Sequence, residues 1–153
     1  MPRIAKSLAL LFVLTACRQS DPLLQRVRDT TVTSGALTLH TIYALPPFTD
    51  APMPVYFSVT NGGSTPDTLR SASSPSSAMV MFHGEAMREV GAQAIAPGDS
   101  LVLAPGGIHL MLSPPLPMFA RGDSLDVTLH FARAGDVRLW APVIDYDEVE
   151  QVR

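Results

Sequence analysis

Cysteine is almost absent from this chain: Cys17 is the single one in 153 residues. An internal disulfide, a zinc finger, a CxxC redox centre and a cysteine nucleophile in the body of the domain are therefore excluded. Lysine is as scarce, with Lys6 alone. From Cys17 onward nine arginines face fourteen acids, a net charge near −5. That balance repels a phosphate backbone, so nucleic acid is not an expected partner. Runs long enough to span a membrane are missing too. The apolar run Leu8–Leu14, LALLFVL, has seven residues, whereas a spanning helix needs about 20.

What is present begins with a leader. Arg3 and Lys6 precede that short apolar run, and Thr15-Ala16-Cys17 follows it. A basic start, a short apolar core and small residues at the end make residues 1–16 a secretory signal. The ending LTAC resembles the lipobox of bacterial lipoproteins. The resemblance implies lipidation of Cys17 and a periplasmic, membrane-anchored protein. Arg18 in place of Asp after the cysteine slightly favours the outer membrane. Residues 17–35 are polar and read as a lipidated tether.

From residue 36 strand signals dominate. LTLHTIY (37–43), VYFSVTN (55–61), AMVMFH (78–83), SLVLA (100–104), IHLML (108–112), SLDVTLHFA (124–132) and DVRLWAPV (136–143) are short segments, mostly alternating. Pro, Gly and Ser cluster between them, and SASSPSS (71–77) reads as a surface loop. No window has a helical period. The pattern predicts an all-β fold over residues 36–145, an antiparallel β-sandwich or a Greek-key barrel. Residues 146–153 are an acidic tail.

The chemistry lies in sulfur and imidazole. Met79, Met81, Met87 and Met111 surround His83 and His109 in the sequence. In GGIHLML (106–112) Leu110 and Leu112 take the buried face of a strand. His109 and Met111 then share the other face, about 7 Å apart. In HGEAM (83–87) three residues separate His83 from Met87. A three-residue hairpin loop would make them a closing cross-strand pair, with Cβ atoms ~5 Å apart. If the hairpin closes otherwise, Met81 or Met79 is the alternative sulfur, or the site has three ligands. Neutral imidazole with thioether suits a soft ion, and Cu(I) fits best. His40 and His130 read as solvent-face residues, and Tyr56 and Trp140 as core or strand-pair aromatics. No nucleophile–base–acid set is apparent, so no enzyme is expected.

With these residues in view, the chain resembles the periplasmic copper chaperones of the PCu(A)C type, whose signature is H-x10-M-x21-H-x-M. Met87, His109 and Met111 match with 21 residues between the first two. His83 stands for the first histidine with three residues before Met87 in place of ten. The likeness extends over most of residues 36–143, including IAPGDSLVLAPGGIHLML (95–112) and VRLWAPV (137–143). It implies a cupredoxin-like sandwich that holds Cu(I) through His83, Met87, His109 and Met111. It further implies delivery to the dinuclear copper centre of cytochrome c oxidase, with the copper-centre subunit or a Sco-type protein as partner. A copper storage or resistance protein and a metal-free envelope scaffold on the same fold are the rival readings.

Overall fold

The computed structural model describes residues 21–48, 51–114 and 116–153. The signal sequence and Cys17 lie outside them. Among the described residues eleven strands form two antiparallel sheets, the expected sandwich. The strands are β1 (Thr31–Ser34), β2 (Leu37–Ala44), β3 (Met53–Asn61), β4 (Asp67–Ser73), β5 (Val80–His83), β6 (Glu89–Val90), β7 (Gln93–Ile95), β8 (Ser100–Leu103), β9 (His109–Leu112), β10 (Ser124–Phe131) and β11 (Asp136–Pro142). One sheet runs β1-β2-β3-β9-β5-β6, with β8 also on β3. The other runs β11-β10-β4-β7.

Alternation decides which residues meet between the sheets. In β10 Leu125, Val127, Leu129 and Phe131 are buried while the residues between them are partly exposed. They pack against Leu39, Val55, Phe57, Val59, Leu110 and Leu112 from the other sheet. Each such side chain contributes about 1.5–3 kcal/mol by leaving water. Trp140 is not part of this core. It falls on the outward side of β11, 56% exposed, with the Arg138 guanidinium 4.8 Å from its ring centre.

Both ends of the described region are folded more tightly than their polar composition indicates. Part of the expected tether forms helix α1 (Pro22–Asp29), and β1 follows it. Asp21 caps the helix by accepting from Leu23 N–H at 2.8 Å, and Pro22 suits its first turn. Leu24 and Val27, three apart, are buried on one face of the helix. The expected acidic tail forms a 3-10 turn (Tyr146–Glu148) and helix α2 (Val149–Val152), with Val149 and Val152 buried. These residues join Tyr43, Leu45, Tyr56 and Ile144 in a second apolar cluster. Tyr43, Tyr56 and the helices thus occupy the outward face of the larger sheet. Arg121 clips the two ends together, donating to Asp21 at 2.5 Å and to Glu148 at 2.6 Å. Period-3.6 patterns this short carry no signal in sequence, since isolated helices of one or two turns depend on packing.

SASSPSS is a surface loop only in its second half. Residues 71–73 belong to β4 and pair with β10. The Pro105-Gly106-Gly107 segment does not reverse the chain. β8 and β9 both run antiparallel along β3, Phe57 opposite Leu103 and Val55 opposite Leu110. The segment is an outward excursion closed by Ala104 N–H donating to Ile108 carbonyl at 2.9 Å. Gly106 there has φ +82°, a conformation that favours glycine.

Asp67 ties β4 to the β10–β11 turn. Its buried carboxylate accepts from the backbone N–H groups of Thr68 (2.7 Å), Arg133 (2.9 Å) and Ala134 (2.9 Å). Burial pushes its pKa up, but these donors outweigh it and hold the group below its ordinary 3.8. A lowered folded pKa stabilises the fold above the ordinary value, and that stability is lost as pH falls through the folded value. Asp67→Asn should cost about 1–3 kcal/mol in urea unfolding at neutral pH. The deficit relative to wild type should shrink as the pH is taken below about 4.

Candidate metal centre

β9 is covered on both faces, as its four buried residues show. Leu110 and Leu112 face the core as expected. His109 and Met111 take the opposite side, 8% and 7% exposed. β3 supplies one neighbour, with Pro54 opposite Met111. β5 supplies the other, with His83 opposite His109 and Met81 opposite Met111. The two imidazole rings therefore sit side by side, centroids 6.1 Å apart and planes at 81°.

The protonation pattern of His109 follows from its loop. His109 Nδ1 lies 2.9 Å from the Gly107 carbonyl, which can only accept. Nδ1 therefore carries the proton and Nε2 keeps its lone pair for an external electrophile. His83 Nδ1 is buried and has no hydrogen-bond partner among the described residues. A buried imidazole nitrogen left without a partner fits a site that an ion completes. Tyr56 stands behind His109, with ring centroids 6.1 Å apart. Burial pushes its phenol up to about 12, so it stays neutral and walls the site without ligating as phenolate. Among the described residues no three His, Cys, Asp or Glu side chains are grouped to hold a metal. The other donors close to this imidazole pair are thioether sulfurs, a donor type that suits a soft cation.

Met87 does not sit where a three-residue hairpin would put it. β5 and β6 close with His83 opposite Glu89, not Met87. The loop from Gly84 to Arg88 is five residues long, joined by Gly84 N–H donating to Arg88 carbonyl at 2.8 Å. Within it Ala86 and Met87 have φ of 54° and 58°, a left-handed pair that costs each side chain roughly 1–2 kcal/mol. Met87 is 54% exposed. It lines the rim of a cavity of about 450 Å³, together with His109, Met111, Tyr56, Phe48 and Tyr146. Met87, His109 and Met111 thus line one cavity, and His83 joins them through its place opposite His109 on the neighbouring strand.

The fold has known counterparts. The model of the LpqE-like family, named for a lipoprotein, matches residues 36–143. The chain belongs to the LpqE-like family. The copper-bound PCuAC domain from PmoF2 superposes with a TM-score of 0.70 at 26% identity, over 76% of this chain and 98% of that one. The apo PCuAC domain from PmoF1 does so at 0.69 and 25% identity, over 76% and 99%. The Cu(I) form of DR1885 from Deinococcus radiodurans shares the fold at 0.57 and 20% identity, over 88% and 93%. No curated protein matches the chain by sequence. The expected PCuAC-type, cupredoxin-like sandwich is borne out.

In this LpqE-like domain the structure also assembles a trio absent from the linear pattern. Ser73 Oγ is 2.9 Å from His130 Nε2, and His130 Nδ1 is 2.7 Å from Asp136 Oδ1. The three come from β4, β10 and β11, which the sequence does not place side by side. Acyl transfer needs more than the trio: a substrate pocket and donors aimed at an oxyanion. None of the described cavities is lined by these residues, and the Asp136 side chain is 71% exposed. The trio is a polar ladder across the open face of the smaller sheet. Gly107 and Tyr56 are the site residues that sequence reading missed. Only alternation from Pro54 marks Tyr56 as sharing the Met111 face.

The His109 tautomer is directly testable. Long-range ¹H–¹⁵N spectra of the neutral ring should show Nδ1 protonated and Nε2 bare. A protonated Nε2 would contradict the Gly107 contact.

Proposed function

We propose that this protein is a lipid-anchored periplasmic chaperone that carries Cu(I). The observation that carries the reading is the directly opposed pair His83 and His109, one with its tautomer set by Gly107 and the other with an unpartnered buried nitrogen. Met111 stands beside them, on a fold shared with the copper-bound PmoF2 domain. Two imidazoles and thioether sulfur suit a filled-shell monovalent ion. One sulfur is assigned to Met111, and the second comes from a neighbouring methionine, Met87 of the Gly84–Arg88 loop or Met81 of β5. Thioethers do not cross-link in an oxidising compartment, and no covalent step is needed. The copper is cargo: a rim open to solvent lets an incoming protein ligand replace a thioether without burying itself in the core.

Delivery to the dinuclear copper centre of cytochrome c oxidase, directly or beside a Sco-type protein, is the destination we assign. Retention for storage or resistance is the other use of the same site. The family is named for a lipoprotein, which supports lipidation at Cys17, outside the described residues, and an envelope location; Arg18 after that cysteine is what favours the outer membrane.

A Cu(I) competition titration against a chromogenic chelator tests the binding. One Cu(I) per chain is expected, lost in both His83→Ala and His109→Ala. Absence of binding in the wild-type chain would leave a scaffold on a copper-chaperone fold. The anchor is tested separately: Cys17→Ser should move the protein from the membrane fraction to the soluble periplasm. Retention in the membrane would rule out lipidation at that residue.

A further inference from the structure

The register that pairs the histidines also pairs two methionines. Met81 lies opposite Met111, two residues along the same ladder from His83 and His109. Side chains two apart on a strand share a face, about 7 Å apart, and directly opposed Cβ atoms are ~5 Å apart. The four side chains therefore project from one face as a rectangle, histidines along one short side and methionines along the other. Phe82 and Leu110, between them, point into the core. Met81 is half-buried, so it lies within the covered surface and not out in solvent.

Met87 is placed differently. It lines the cavity together with His109 and Met111, but it pairs with no strand residue, sits in a left-handed loop and is 54% exposed. As a resident ligand it would be held only by that strained loop, not by the strand ladder. Met81 requires only rotation about its own side-chain bonds, of which a methionine has three soft ones. Met79, the remaining alternative, is one step further down the ladder and 54% exposed. It lies about 14 Å along the strand from His83, too far to share an ion with it.

Resting on the copper-chaperone reading, we propose that the resident Cu(I) ligands are His83, Met81, His109 and Met111. Met87 is a rim residue outside the resident set, placed where the ion arrives and leaves. The shortened loop thus removes one sulfur from the strand ladder's reach, and Met81 supplies its replacement from within β5.

The test compares the full wild-type chain with Met81→Leu and Met87→Leu in anaerobic Cu(I) competition. Leucine keeps volume and apolar character and removes only the sulfur. Met81→Leu should weaken binding about tenfold or more, the scale that even outer partners of a metal site command, and Met87→Leu less than about threefold. Spectra of the wild-type chain with ¹³C-methyl methionine give an independent readout, which decides the matter if Met81→Leu does not fold. The Met81 and Met111 methyl signals should shift on adding Cu(I), and the Met87 signal should stay. Unchanged affinity in Met81→Leu, or loss in Met87→Leu, overturns the assignment while leaving the chaperone reading intact. A wild-type chain that takes up no Cu(I) overturns both.

Discussion

The pairing register of β9 is the constraint on which the rest of this structure depends. β9 is held between β3 and β5, and its four residues divide between two environments. Leu110 and Leu112 help fill the space between the sheets, and His109 and Met111 form the outward site. Because the side-chain period of a strand is two, a slip of one residue would exchange the sets. It would bury an imidazole and a thioether among leucines and valines and put two leucines at the cavity. The hydrophobic core therefore enforces the site geometry. The ions that such a site selects follow from which side chains the core rejects.

The outward face of the larger sheet is shared between two uses. One part is sealed by α1, α2, Tyr43 and Tyr56, a second apolar cluster clipped by Arg121. The other part carries the two histidines and the two methionines. Tyr56 belongs to both, buried in the cluster and set behind His109. The wall of the site is thus anchored to both ends of the described chain. The Gly106-Gly107 excursion adds a separate control, since its carbonyl sets the nitrogen that His109 presents. The site is built from strand register on one side, a loop carbonyl above and packed aromatics behind.

Much of this was legible in the sequence. Alternation marked β2, β3, β9, β10 and β11 clearly, because half-buried strands must alternate. It also separated Leu110 and Leu112 from His109 and Met111. The missed elements fail for identifiable reasons. β4 begins at Asp67 and ends among serines, so its burial is hidden by composition. α1 and α2 carry two buried residues each, too few for a period to register. The expected place of Met87 rests on loop length and on its spacing from His109, with Met87 as the residue that closes the hairpin on His83. Glu89 takes that place opposite His83, because Phe82 and Val90 pair one step inside and both pack against the core.

The sequence by itself determined the fold class, the lack of thiol chemistry and the donor types available: imidazole and thioether with few nearby acids. Those follow from composition and period, which are local properties. Tertiary structure decided which donors meet. His83 and His109 are 26 residues apart, and only β5 against β9 makes them neighbours. The same pairing set Met81 opposite Met111 and left Met87 at the rim. Strand neighbours and hairpin closure depend on how distant segments share one core, so one chain pattern admits several ligand sets until packing selects among them.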